Sequence, residues 1–139
     1  MADITINVAN IAPSANAVYD RTANFGATIL QGEIVYKDTN GLWQKMDANA
    51  SATGNGVTDV RGMAAVAGAN GQPATVITQD SYLGMGPLLT NGASYWASPN
   101  AGNIAPVADV TSGNYATFLG VARSTSRLNF RPVASGIAV

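Results

Sequence analysis

Few residues of this 139-residue chain have the types or spacing that chemistry needs. Asp38, Asp47 and Asp109 are carboxylates of the kind glycoside hydrolysis uses, which requires one acid held protonated by an apolar pocket and a second about 5–10 Å away. Their positions favour another role. Asp38 opens the tetrad Asp38-Thr39-Asn40-Gly41, and Asp47 and Asp109 follow hairpin-like segments, where aspartate accepts hydrogen bonds from nearby backbone amides. A serine nucleophile would have to use Lys37 or Lys45, because the chain has no histidine and no Gly-x-Ser-x-Gly elbow. Without histidine and cysteine, the commonest metal ligands and the commonest general base are missing together. The Asp38 tetrad starts like a calcium loop but lacks the later ligands and the closing glutamate. Gly84-Met85-Gly86 is followed by no lysine and no helix, so it reads as a turn rather than a phosphate loop. Trp43, Trp96, Tyr95 and Tyr115 have the rings to stack on sugars, although aromatics on hairpins more often pair across strands or enter the core. The expectation is a protein that is not an enzyme, with no cofactor and no metal site.

The elements around these residues are β-strands. Ile34 and Tyr36 alternate with Val35 and Lys37, the Asp38 tetrad suits a type I turn with a bulge at Gly41, and residues 42–46 return. About sixty residues on, residues 88–110 repeat the order: Gly32 falls on Gly92, Tyr36 on Trp96, Asn40 on Asn100, and Trp43 near Ile104 after one inserted residue. The segments that follow also match, with Arg61-Gly62-Met63-Ala64 resembling Leu119-Gly120-Val121-Ala122. The chain therefore reads as an all-β, sandwich- or barrel-like domain of short antiparallel strands, internally duplicated over about residues 28–79 and 88–132 within a single domain spanning 28–139. Residues 1–27 read as an extended N-terminal arm that begins with a strand over Asp3–Val8, where Ile4, Ile6 and Val8 alternate with polar neighbours. The competing reading is an ordinary first strand followed by a loop. Asp80–Pro87 is aperiodic and reads as a turn, and residues 133–139 as a small-residue tail.

Charged residues make up only 11% of the chain, against about 25% in an average domain. Net charge is −1 with no basic run, which argues against nucleic acid as a partner. No stretch approaches the roughly 20 apolar residues of a membrane helix, and the first ten residues lack the charge and apolar core of a secretory signal. The expectation is a protein made soluble, in whatever compartment synthesises it.

The series MADITI, ILQGEIVYKDTNGLWQKMDANASA, GMAAVAGANGQPATVIT and ASYWASPNAGNIAPVADVTSGNYATFLGVARS, spanning nearly the whole chain, resembles the head decoration, or capsid cement, proteins of tailed bacteriophages. The resemblance implies a small β protein, usually a homotrimer, that sits on the outer capsid surface of the virion, binds the major capsid protein and reinforces its lattice. Related modules occur in phage fibres, so a fibre or receptor- and glycan-binding module is the alternative. Under either reading the protein is made in the host cytoplasm. Ile4, Ile6, Val8 and Ile11 of the arm are the residues expected to bind the capsid or a neighbouring subunit.

Charge divides unevenly along the chain. Residues 1–60 hold Asp3, Asp20, Glu33, Asp38, Asp47 and Asp59 against Arg21, Lys37 and Lys45, net −3; residues 61–139 hold Asp80 and Asp109 against Arg61, Arg123, Arg127 and Arg131, net +2. Halves of similar shape and opposite charge suit a head-to-tail ring, with Arg61, Arg123 and Arg127 expected at the subunit interface.

Overall fold

The computed structural model describes residues 3–46, 60–98, 100–106 and 115–138. Asp38 reverses the chain as its position predicts. Its Oδ1 accepts the N–H groups of Asn40 and Leu42, each at 2.9 Å, its carbonyl accepts the N–H of Gly41 at 3.0 Å, and Gly41 takes φ +78°. Strands β1 (Val18–Asp20), β2 (Ile34–Lys37) and β3 (Trp43–Lys45) open the chain, and β2 and β3 pair antiparallel with Lys37 opposite Trp43. The second hairpin, β6 (Ser94–Ala97) with β7 (Ile104–Pro106), substitutes a serine for the aspartate: the Ser98 hydroxyl accepts the Asn100 N–H at 2.9 Å, and Ala97 faces Ile104.

With β4 (Arg61–Ala64), β5 (Val76–Gly84), β8 (Tyr115–Ala122) and β9 (Arg127–Ala138), the chain forms one curled antiparallel sheet, a half-barrel in the order β3-β2-β4-β5-β9-β8-β6-β7, with β1 added on β5. That order is the same read from either edge: hairpin, next strand, closing strand. Register runs in the same way through both halves. Ile34, Val35 and Tyr36 face Met63, Gly62 and Arg61, while Ser94 and Tyr95 face Val121 and Gly120, and Trp96 faces Phe118 across a bulge. Gly32 donates to Ala64 at 2.8 Å and Gly92 to Ala122 at 2.9 Å; Ala64 donates to Glu33 and Ala122 to Ala93, both at 2.9 Å. Gly32 and Gly92 sit at φ +88° and +80°, a conformation that L residues with side chains avoid. At Gly62 and Gly120 the reason is space, since a Cβ would strike the carbonyl oxygen of Ile77 or of Asn129 on the adjacent strand.

The main core lies inside the curl and includes Ile34, Met63, Ile77, Leu83, Tyr95, Ile104, Leu119, Leu128 and Phe130. A second cluster, Val35, Trp43, Ala64 and Val76, lies on the far face of the first hairpin and is sealed by Phe25 and Ile29 from the N-terminal segment. Burying side chains of this size contributes about 1.5–3 kcal/mol each. The edges of the curl are joined through Gly102, whose N–H donates to Met46 at 2.7 Å and whose carbonyl accepts from Ile34 at 2.8 Å.

Three local expectations change. Asp3–Val8 forms no ladder: Ile4 donates one backbone bond to Ile104 at 3.0 Å, and a 3-10 turn over Val8–Asn10 follows. The alternation there serves side-chain packing, with Ile4 and Ile6 half-buried against the main core. Asp80–Pro87 is not a simple turn, because β5 runs on to Gly84; an irregularity between Asp80 and Leu83 resets its alternation and conceals the period. The stretch read as a tail continues β9 to Ala138.

Candidate interaction surfaces

The N-terminal segment lies along its own body, fastened at both edges of the sheet. At one edge Trp43 donates to Asn24 at 3.0 Å and Gly26 to Trp43 at 2.8 Å; at the other, Ile4 bonds Ile104. An open strand edge is an invitation to pair with another chain, and this segment covers both edges. Side chains fix it in place. Asp3 Oδ1 accepts the Ser98 hydroxyl at 2.6 Å, and Oδ2 accepts the side-chain amides of Asn100 and Asn103, each at 3.0 Å. Partial burial opposes ionisation of Asp3, but these three bonds outweigh it and hold the carboxyl below its ordinary value. Asp3 thus knits the second turn from outside, as Asp38 knits the first from within. Farther along, buried Asp80 accepts the N–H of Ser14 at 2.7 Å, the Ser14 hydroxyl and the N–H of Tyr82 at 3.0 Å.

The four arm residues therefore divide. Ile4, Ile6 and Ile11 pack against their own core, while Val8 is 46% exposed and borders a groove of about 320 Å³ that Leu30, 59% exposed, also lines. The three arginines divide too. Arg61 is buried in β4 opposite Tyr36. Arg123 and Arg127 are exposed and share an anchorage on β5: Arg123 Nε donates to the Ser81 carbonyl at 2.6 Å, its guanidinium stacks 4.5 Å from the centre of the Tyr82 ring, and Arg127 donates to the Tyr82 carbonyl at 3.0 Å. Each guanidinium donates one N–H to a backbone carbonyl, and both residues are exposed.

The chain matches no protein-family model and no curated protein.

Two of the three bases in the acidic first half pair with carboxylates of that same half. Lys37 binds Asp20 at 2.6 Å and Lys45 lies 3.4 Å from Glu33, which also accepts the Leu30 N–H at 2.6 Å. Partial burial would raise the Asp20 pKa, but Lys37 and the Thr22 hydroxyl and N–H prevail and hold it at about 2. Asp38 is held low in the same way, burial being outweighed by the Leu42 and Asn40 N–H groups and the Gln44 amide. All five described carboxylates, Asp3, Asp20, Glu33, Asp38 and Asp80, accept hydrogen bonds within the fold; Asp47, Asp59 and Asp109 lie outside the described residues.

Of the aromatics, Trp43 and Tyr95 are core, and Trp96 is half-buried edge-on to Phe118, ring centres 5.4 Å apart. The side chain of Tyr115 lies outside the described residues. Sequence reasoning missed Tyr82 and Asp80. Both sit at the irregular point of β5, where the lost alternation was itself the signal.

Proposed function

We propose that this protein is a structural component of a tailed-phage virion, a decoration protein that binds the major capsid protein on the outer surface of the head and stabilises its lattice, as a homotrimer. The reading begins from the sequence resemblance, and one structural observation supports it most: the described carboxylates are spent on the protein's own turns, straps and ion pairs, while large apolar side chains and Arg123 and Arg127 remain exposed. A surface of small residues with scattered apolar and arginine contacts suits static docking, since little side-chain entropy is lost on binding. The role is adhesion rather than turnover. Burial of Trp43 and Tyr95 removes two of the rings that a glycan-binding fibre module would use.

Copy number tests the proposal. A lattice-bound decoration protein is present in hundreds of copies per particle, and a fibre protein in a few. Gel densitometry of purified virions against the major capsid protein is expected to give a ratio of the order of one per capsid subunit; a ratio matching tail proteins would overturn the reading.

A further inference from the structure

The two modules use equivalent faces differently. In the first, Ile34, Tyr36, Met63 and Ile77 point into the main core, and Val35, Trp43, Ala64 and Val76 into the second cluster. Strand register puts Ser94 on Ile34, Trp96 on Tyr36, Val121 on Met63 and Asn129 on Ile77. In the second module it is the opposite set, Tyr95, Ile104, Ala122 and Leu128, that enters the main core. The parity change falls where β5 crosses its irregularity between the modules. The modules therefore stack front to back: the front of the first lies on the back of the second. Phe25 and Ile29 seal the remaining face of the first. Among the described residues, nothing seals the front of the second in this way. There Trp96 and Phe118 are half-buried, Val121 is 40% and Val133 is 61% exposed, and Val133 lies opposite Phe118 across β8 and β9. Arg127 shares this face, since it alternates with buried Leu128 and Phe130 along β9.

We infer that this open face is the docking surface, and that its occupant is a patch of the coat protein presenting apolar side chains beside carboxylates. The inference rests on the decoration reading and deepens it. Charge selects the occupant. Arg123 and Arg127 are pinned at the rim by backbone carbonyls, and neither meets a carboxylate among the described residues. A second copy laying the same face here would bring guanidiniums together, and the described carboxylates it offers are already engaged. An acidic coat surface would instead complete the arginine forks while covering Trp96, Phe118, Val121 and Val133, an aromatic centre with an arginine rim.

The test is binding of the full chain to undecorated heads of the virus that carries it, measured by co-sedimentation, with light scattering of the free protein in parallel. Val133→Asp and Arg127→Glu, both at exposed sites, are expected to keep the native urea midpoint and oligomeric state and to bind at least about tenfold more weakly. Leu30→Asp, in the N-terminal groove, is expected to bind as the native protein does. Raised salt should weaken native binding and leave Arg127→Glu less affected. Face variants that bind normally while Leu30→Asp fails would overturn the docking face and leave the decoration role standing. Face variants that lose self-association but keep binding to heads would overturn the occupant, making it a second copy. A native protein that binds no head would end both readings.

Discussion

Among the described residues, the first module is covered on both faces and the second on one. Each is the same hairpin and strand pair in the same register, yet Phe25 and Ile29 close the first, whereas no described segment closes over Trp96, Val121 and Val133 of the second. A duplicated unit that stacks front to back always leaves two end faces. The N-terminal segment supplies a cap for one of them, and the other is the face proposed above for docking. The function of a repeat is best sought where its copies cease to be equivalent.

Removing the cap is the strongest way to break this comparison. Phe25 is fully buried, so Phe25→Ala is expected to cost about 3–5 kcal/mol by urea denaturation, while Val133→Thr on the open face should change stability by no more than about 0.5 kcal/mol. Equal effects would mean that the faces are not differently covered.

The straps come next. Asp80→Ala strands the N–H groups of Ser14 and Tyr82 at a buried site and should cost about 1–3 kcal/mol. Asp3→Ala removes bonds from side chains nearer solvent and should cost about 0.5–1.5 kcal/mol, with faster amide exchange at Ile4.

Equivalent glycines offer a finer comparison. Gly92→Ala is expected to cost about 1–2 kcal/mol for its left-handed backbone, with open space around the new methyl. Gly32→Ala should cost more, because there the methyl also meets Ile11 of the N-terminal segment. A double variant lacking the large Ile11 side chain, Gly32→Ala with Ile11→Ala, should bring the added penalty at Gly32 toward the Gly92 value.

The smallest effect concerns acid. Asp20 has a folded pKa of about 2 against an ordinary 3.8, so the stabilisation it provides is complete above the unfolded value and is lost as pH falls through about 2. Lys37→Met is expected to lower stability by no more than about 1 kcal/mol near neutrality. That difference should shrink below pH 3.8 in denaturation curves taken at successive pH values.

Much of the fold was legible in the sequence because hairpins are local. Asp38, Gly32 and Gly92 announce their turns through backbone demands, and the one-residue insertion before Ile104 appears in the observed pairing. What lay hidden was long-range. Nothing near Asp3 indicates that Ser98, Asn100 and Asn103 receive it, nor does the alternation of Ile4 and Ile6 distinguish packing on a core from pairing with a strand. Arg61, expected at a subunit interface, lies buried in β4, since composition does not reveal which arginine a sheet encloses. The open face was illegible for the same reason: it emerges only when the register of both modules is known.

The measurement that bears most directly on this account is hydroxyl-radical footprinting of the free protein and of the protein bound to heads. Trp96, Phe118, Val121, Val133 and Tyr82 are expected to be protected on binding, with Val8 and Leu30 unchanged. Protection confined to residues 3–12 and Leu30, with Trp96 and Val133 as reactive as in the free protein, would contradict it.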